Sequence, residues 1–131
     1  MSNAIWINLH VKDVKAAVDF FRALGLEIDD EFTNEQAGCV NVAPGAKVLL
    51  VSEDFFTSVT GKRLPNLDVA QEVALALEAD SREHVDQLVD LARDNGGKES
   101  KEPEDHGFMY SRGFRDLDGH LWNVMYMAVE A

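Results

Sequence analysis

One order of predicted elements occurs twice along the chain: a strand, a helix and then three short strands. In the first half, alternating apolar residues predict a strand over 5–11, and apolar residues at helical spacing predict a helix between Asp13 and Gly25. Asp13 suits the N-cap of that helix, and Gly25 suits its C-terminal cap. Three β-like segments follow, at 26–32, 36–42 and 47–52.

The second half repeats this order. Alternation predicts a strand over 72–79, and the helical stripe that follows is capped by Asp80 or Ser81. Pro103 interrupts the next polar segment, so we expect only a weak edge strand there. Asp118-Gly119 is a hairpin signal between the last two strands. The last three strands are expected at 98–105, 108–115 and 120–127.

The two halves also match in sequence, which supports a duplicated module. Trp6 corresponds to Glu72 in this alignment, and Leu9 corresponds to Leu75. A strand, a helix and a return to the same sheet form a right-handed crossover, so each half predicts a βαβββ module with its helix on one face. The expected fold is α+β, with two modules forming a curved mixed sheet around a concave, ligand-sized cleft. We expect a single domain over 1–131, with modules at about 4–53 and 71–129 and a linker at about 54–70.

The composition limits the classes of function. A length of 131 residues fits one domain, and a hydrophobic fraction of 46% supplies a core. The net charge of −12 repels phosphate backbones, which disfavours nucleic acid as a partner. We expect neither a signal peptide nor a membrane span, because no apolar run approaches roughly 20 residues. The single cysteine, Cys39, lies in an apolar segment and favours a buried position and a cytoplasmic location.

Motifs at both ends of the chain resemble a known family. The segment Asn8-Leu9-His10-Val11-Lys12-Asp13, with the helix that ends at Leu24-Gly25, resembles the opening of vicinal-oxygen-chelate proteins. The run Phe114-Arg115-Asp116-Leu117-Asp118-Gly119-His120-Leu121-Trp122-Asn123 resembles the hairpin that closes them. This superfamily includes glyoxalases, bleomycin-resistance proteins and dioxygenases, and the second half of the chain is similar to predicted lactoylglutathione lyases. The resemblance covers the whole chain and implies the two-module fold.

Enzymes of this family hold a divalent metal through His and Glu side chains, and the resemblance implies where such ligands would fall here. The positions are Trp6 on the first strand, Leu50 on the fourth, Glu72 on the fifth and Asn123 on the last. An indole has no lone pair for a metal, an aliphatic side chain has no donor atom, and an amide is a poorer ligand than a carboxylate. Only Glu72 is of a usual ligand type. We therefore expect no catalytic metal and no other cofactor.

The cleft is expected to bind a small molecule instead. Trp6 shares one strand face with Asn8 and His10, and its indole suits a planar or cationic group. Tyr110 and Arg112 share a face of their own strand, but alternation leaves open which face meets the cleft. In the cleft Arg112 would suit an anionic substrate, and on the other face it would pair with the acidic surface. The predicted ligand-binding residues are Trp6, Asn8, His10, Leu50, Tyr110, Arg112, Asn123 and Met125.

Three functions follow from these residues. The first, which we favour, is a glyoxalase-like small-molecule-binding protein that lacks the metal of the family. The second is a metal-dependent lyase or isomerase of the lactoylglutathione lyase type. The third is a metal-free enzyme in which Glu72, buried among apolar side chains, has a raised pKa and acts as the catalytic base. The resemblance also implies a homodimer.

Overall fold

The computed structural model describes residues 3–128, which form two compact units on either side of the Pro65–Asn66 bond. Each unit contains one mixed sheet with a helix packed on one face. The α+β class and the repeated βαβββ order are therefore confirmed. The predicted end of the second module, at 129, lies outside the described residues. Within residues 3–128, no helix is long and apolar enough to cross a membrane.

The first unit carries its elements in the predicted order. They are β1 (Ile5–Val11), α1 (Val14–Ala23), β2 (Glu27–Ile28), a 3-10 turn (Asp30–Phe32), β3 (Ala37–Ala43), β4 (Ala46–Ser52) and α2 (Glu53–Thr60). The strands are ordered β1-β4-β3-β2, with β1 parallel to β4 and the other neighbours antiparallel. A parallel pair needs a crossover connection, and α1 begins that crossover. The helix α2 occupies part of the segment expected as a linker.

The second unit repeats this topology. Its elements are β5 (Ala74–Glu78), α3 (Arg82–Asp94), β6 (Lys98–Glu99), β7 (Glu104–Asp105), β8 (Met109–Arg115) and β9 (Leu121–Met127). The strands are ordered β5-β9-β8-β6, with β5 parallel to β9 and with β7 also paired to β8. The edge strand expected over 98–105 is thus two short strands. The break between them contains Pro103, which has no N–H to donate to a sheet.

Side-chain caps begin both long helices. The carboxylate of Asp13 accepts the N–H of Ala16 at 3.0 Å, as predicted. Gly25 follows the end of α1 with a φ of +87°, a conformation that glycine adopts without strain. At α3 the cap is Ser81, whose hydroxyl accepts the N–H of His84 at 3.0 Å. This bond decides between the two residues that the sequence offered.

The strand expected over 26–32 is shorter than predicted, because Asp29 caps a 3-10 turn directly after β2. Its carboxylate accepts the N–H of Glu31 at 3.2 Å. The hydroxyl of Thr33 donates to the carbonyl of Asp29 at 2.8 Å and accepts the N–H of Cys39 at 3.0 Å. These bonds tie the turn to β3 and hold Asp29 in place beside the sheet.

Each sheet has a helix face and an open face, the open face being the one turned away from α1 or α3. On the first sheet the helix face includes Leu9, Val40 and Leu50, which are at most 5% exposed. The helix α1 contributes Val18 and Phe21 to the same core. Burying an aliphatic or aromatic side chain of this size stabilises the fold by about 1.5–3 kcal/mol. The helix face therefore holds most of the apolar core of this unit.

The hairpin between β8 and β9 is ordered by a buried carboxylate. Asp116 accepts the backbone N–H of Asp118 at 3.0 Å, that of His120 at 3.1 Å and the indole N–H of Trp122 at 3.0 Å. Burial raises the pKa of Asp116, while the charge of His120 and these hydrogen bonds oppose the rise. The indole of Trp122 is fully buried and stacks on Phe114, with ring centroids 6.2 Å apart. The hairpin motif at 114–123 therefore has a structural role, since Asp116 holds the turn against the start of β9.

Two glycines of the first unit test how closely α1 approaches the sheet. A Cβ added at Gly38 would lie 2.2 Å from Cγ2 of Val18, whereas one added at Gly45 would meet nothing closer than 3.7 Å. We expect Gly38→Ala to lower the free energy of unfolding by about 1–3 kcal/mol, because the stiff valine cannot move aside without repacking. The control Gly45→Ala should leave it unchanged or raise it by up to about 1 kcal/mol. Urea unfolding measures both, and equal effects would contradict the close approach.

Candidate functional site

The open face of the first sheet carries three of the predicted side chains on one strand. Trp6, Asn8 and His10 alternate along β1, and the register places Lys47 and Leu49 of β4 beside the first two. Trp6 is 41% exposed, Asn8 is half-buried and His10 is buried. The face therefore runs from an accessible aromatic end at Trp6 to a closed end at His10. Whether these residues bind a ligand stays a prediction.

The closed end lies beneath α2. The ring centroid of Phe56 in this helix lies 5.1 Å from that of His10, which is 8% exposed. Cys39 also belongs to the open face, since it pairs with Leu49, and it is fully buried. Burial raises the pKa of the Cys39 thiol, so little of the reactive thiolate is present at neutral pH. The cysteine therefore packs as a small apolar side chain, as its sequence context predicts.

Lys47 is the centre of a polar and aromatic cluster at the accessible end. Its ammonium donates to Oδ1 of Asn41 at 2.6 Å and to Oδ2 of Asp29 at 3.2 Å. The same nitrogen lies 5.4 Å from the ring centroid of Trp6 and 5.7 Å from that of Phe32, within cation–π range. The hydrogen bond from Lys47 is the main reason why the pKa of Asp29 lies below its ordinary value. The sequence reasoning identified only Trp6 of these residues.

Leu50 was predicted to face the ligand, and this prediction is wrong. The parallel register pairs Leu50 with Leu9, so both point to the helix face, and Leu50 is fully buried. Its Cβ lies 3.9 Å from the position that a Cβ on Gly38 would take, next to Val18 of α1. Leu49 takes the open-face position instead. Three consecutive aliphatic residues give periodicity no means of choosing which one faces the core.

Asn123 and Met125 lie on the open face of the second sheet. Asn123 pairs with Ala76 on β5 and with Gly113 on β8, neither of which has a polar side chain. The Oδ1 atom of Asn123 is buried and has no hydrogen-bond partner among the residues that the structure describes. A buried acceptor without a partner costs about 1–3 kcal/mol, and most such atoms in folded proteins are paired. A donor group of a bound molecule would therefore be favourable at this atom.

Tyr110 and Arg112 lie on the helix face, which corrects their prediction as ligand residues. The phenol of Tyr110 donates to Asp86 of α3 at 2.6 Å. The guanidinium of Arg112 donates to Asp86 at 2.9 Å, to Asp90 at 3.2 Å and to Glu99 of β6 at 3.1 Å. The side chain of Arg112 is only 9% exposed. The sequence left open whether Arg112 faces the cleft or pairs with acidic residues, and in the structure it pairs with acidic residues.

The same carboxylates set the protonation states of this cluster. Burial on its own would raise the pKa of Asp86, but the hydrogen bonds from Tyr110 and Arg112 outweigh it and hold that pKa below its ordinary value. The hydrogen bond to Asp86 raises the pKa of Tyr110. Burial would lower the pKa of Arg112, but its bonds to Glu99 and Asp86 raise it. Asp86 and Arg112 thus favour their ionised forms, and the cluster ties α3 and β6 to β8.

Glu72 does not meet the condition on which its predicted catalytic role depended. That role required burial among apolar side chains to favour the protonated form. Glu72 is exposed and lies in a bend two residues before β5 begins. This exposed carboxylate lacks the desolvation by apolar neighbours on which the predicted role as a base rested.

The side chains at the implied metal positions do not fit a catalytic divalent cation. Trp6 offers no lone pair, Leu50 points into the core, and Asn123 offers a neutral amide oxygen. Glu72 is exposed and stands outside the strand. Within residues 3–128, no group of three or more His, Cys, Asp and Glu side chains is placed to hold a metal ion. The donor set is therefore unlike the His and Glu ligands that the family resemblance implies.

The repeated βαβββ units and the closing hairpin define the class of protein. The family model of the Glyoxalase/Bleomycin resistance protein/Dioxygenase superfamily matches residues 4–124. The chain belongs to this superfamily, as the resemblance of its two end motifs predicted.

Solved structures agree with this assignment. A hypothetical protein from S. aureus is 30% identical, with a TM-score of 0.82 over 96% of this chain and 94% of that one. A glyoxalase/bleomycin resistance protein/dioxygenase family enzyme from Burkholderia phytofirmans PsJN is 14% identical, with a TM-score of 0.78 over 97% and 99%. A lactoylglutathione lyase from Agrobacterium tumefaciens is 19% identical, with a TM-score of 0.65 over 93% and 91%. The last two show a shared fold only. None of the curated proteins compared with the chain matches it.

Replacing Arg112 separates a structural role from a ligand-binding one. We expect Arg112→Met to lower the free energy of unfolding by about 3 kcal/mol, because three carboxylates would lose their common partner. The control is Arg22→Met, since Arg22 is 54% exposed and lies 3.7 Å from Asp30. That change should cost less than about 0.5 kcal/mol. Urea unfolding gives both values, and similar losses for the two variants would contradict the structural role of Arg112.

Proposed function

We propose that the protein binds a small organic molecule at the open face of its second sheet, without a catalytic divalent metal. Binding itself is the function, as in a protein that sequesters an antibiotic or a metabolite. The observation that carries this proposal is the Oδ1 atom of Asn123, which is buried and has no hydrogen-bond partner among the described residues. It stands where relatives commonly place a metal-binding Glu, according to the resemblance described above.

The chemistry of Asn123 supports a ligand that donates a hydrogen bond. A neutral amide oxygen binds a hydroxyl or an N–H group well and a divalent transition metal poorly. Its neighbours across the sheet, Ala76 and Gly113, are small, and Met125 follows on the same face. A mostly apolar surface with one well-placed polar group is typical of small-molecule sites. The ligand class is therefore an organic molecule with at least one hydroxyl or amine group.

The first unit has an aromatic surface of its own on the open face of its sheet. Trp6 is 41% exposed although it lies within a strand, and Phe32 beside it is 44% exposed. The two rings meet edge to face, with centroids 5.3 Å apart. Exposed aromatic side chains on an ordered sheet suit stacking against a planar group. We infer that this surface of the first unit can stack against a planar or cationic group.

We also infer a homodimer in a reducing cytoplasm. The support for the dimer is that β1 and β5 are at the ends of their sheets in the strand order, and that Ile5 of β1 is 56% exposed. Edge strands with exposed apolar side chains favour pairing with another chain. The buried, unpaired Cys39 supports the compartment. Light scattering of the purified protein tests the dimer, and a monomer at micromolar concentration would contradict it.

The metal-free proposal is tested on protein purified without chelators or a metal-affinity tag. We expect elemental analysis to find far less than one equivalent of Ni²⁺, Zn²⁺ or Mn²⁺. We also expect no turnover of the hemithioacetal of methylglyoxal and a thiol, even after each metal is added. A thermal-shift screen of thiols, aromatic acids and antibiotics then identifies the ligand. Stoichiometric metal together with turnover would replace this proposal with a lyase of the lactoylglutathione lyase type.

The variant Asn123→Leu tests the site by its opposite effects on stability and on binding. Removing an unpaired buried acceptor should raise the free energy of unfolding of the ligand-free protein by about 1–2 kcal/mol. The affinity for a ligand from the screen should fall at least about tenfold, since its hydrogen bond is lost. The matched control is Asn41→Leu, because that amide bonds Glu27 and Lys47 and its loss should destabilise the fold. A destabilised Asn123→Leu with unchanged affinity would reject the site.

A further inference from the structure

The first unit has a cavity of its own, and Asn123 is not part of its lining. It has a volume of about 390 Å³, within the range of small-ligand sites, and it lies at the turn between β3 and β4. Three polar side chains line it, Glu27 from β2, Asn41 from β3 and Lys47 from β4. The rest of the lining is Val42, Ala43 and Pro44. One charge of each sign and an apolar wall thus face the same space.

The two charges are held in place and still have capacity for a ligand. An ammonium has three N–H donors, and Lys47 uses two of them on Asn41 and Asp29. The carboxylate of Glu27 accepts the amide N–H of Asn41 at 2.9 Å, and its remaining lone pairs are available because the residue is exposed. Asn41 therefore connects the two charges, with its oxygen towards Lys47 and its nitrogen towards Glu27.

This bridge defines the group that the cavity accepts. The amide oxygen of Asn41 accepts from the Lys47 ammonium, and its amide nitrogen donates to the Glu27 carboxylate. The gap between the two charged groups is therefore spanned by one short polar group. An α-amino acid presents the same pair at a similar spacing, a carboxylate acceptor and an ammonium donor on adjacent carbons. We propose that the cavity binds the zwitterionic head of an α-amino acid, with its carboxylate on Lys47 and its ammonium on Glu27. This site is independent of the proposed function at Asn123.

The polar groups around the cavity favour a molecule with both charges over a molecule with only one. A plain carboxylate would meet Lys47, but the carboxylates of Glu27 and Asp29 and the net charge of −12 would repel it. A plain amine would meet Glu27, but it would offer no acceptor to the third N–H donor of Lys47. A molecule that carries both charges can pair with the ammonium of Lys47 and with the carboxylate of Glu27. The apolar lining suits an aliphatic side chain, so leucine is the natural probe.

The experiment compares leucine with its two half-molecules on the full-length protein. Isothermal titration and tryptophan fluorescence follow binding, since Trp6 is partly exposed and lies 5.4 Å from the Lys47 ammonium, whereas Trp122 is fully buried. We expect saturable binding of leucine, and binding at least about tenfold weaker for 4-methylpentanoate, which lacks the amine, and for 3-methylbutylamine, which lacks the carboxylate. A half-molecule that binds as tightly as leucine would overturn the assignment. So would the absence of saturable binding by leucine and by all the other protein amino acids.

Two variants locate the binding on this cavity. Glu27→Gln keeps an acceptor for Asn41 but removes the negative charge, and Lys47→Met removes the ammonium. Each should weaken leucine binding at least about tenfold, whereas Lys15→Met, on a side chain that is 85% exposed, should not. If circular dichroism shows that Lys47→Met is unfolded, Glu27→Gln decides alone. Unchanged leucine affinity in Glu27→Gln, or an equal loss of leucine affinity in Asn123→Leu, would overturn the assignment to this cavity.

Discussion

The parallel pairing of β1 with β4, repeated as β5 with β9, is the constraint on which the rest of each unit depends. A parallel pair needs a crossover, and the helix in that crossover covers one face of the sheet and leaves the other open. The register then assigns every side chain to a face. It sets Trp6 beside Lys47 on the open face and Leu9 beside Leu50 in the core. A shift of β1 by one residue would turn Trp6 towards the helix and Leu9 away from it, because side chains alternate with a period of two.

Polar side chains are paired differently on the helix faces and on the open faces of the sheets. On the helix face of the second sheet, Arg112 is nearly buried and all its partners are carboxylates from the same unit, so it stabilises the packing of α3. On the open face of the first sheet, Lys47 also bonds two side chains of its own unit, but it lines a cavity. On the open face of the second sheet, the oxygen of Asn123 stays unpaired among the described residues. Departures from full polar pairing are expected where a protein binds other molecules.

Local signals in the sequence were enough to predict the order of helices and strands, but they did not identify the side chains that meet around Lys47. Alternation, helical stripes and the cap at Asp13 predicted the βαβββ order, because these signals act over a few residues. The cluster around Lys47 was missed, since Asp29 is 18 residues away and Asn41 is 6 residues away. Only the strand register brings them together. The available signal was Lys47 itself, a charged residue at the start of a strand that is otherwise mostly aliphatic.

The sequence by itself determined the family, the repeated module and the chemistry available at Trp6 and Asn123, because the donor atoms of an indole and an amide are covalent properties. Only the tertiary structure decided which side chains use that chemistry. Alternation separates a strand into two sets but does not say which set faces the helix. For Arg112 and Leu50 that choice depended on packing against α3 and α1, and it placed both away from the open face. The free energy of burying the larger apolar set against a helix makes that choice, and it is summed over contacts far apart in the chain.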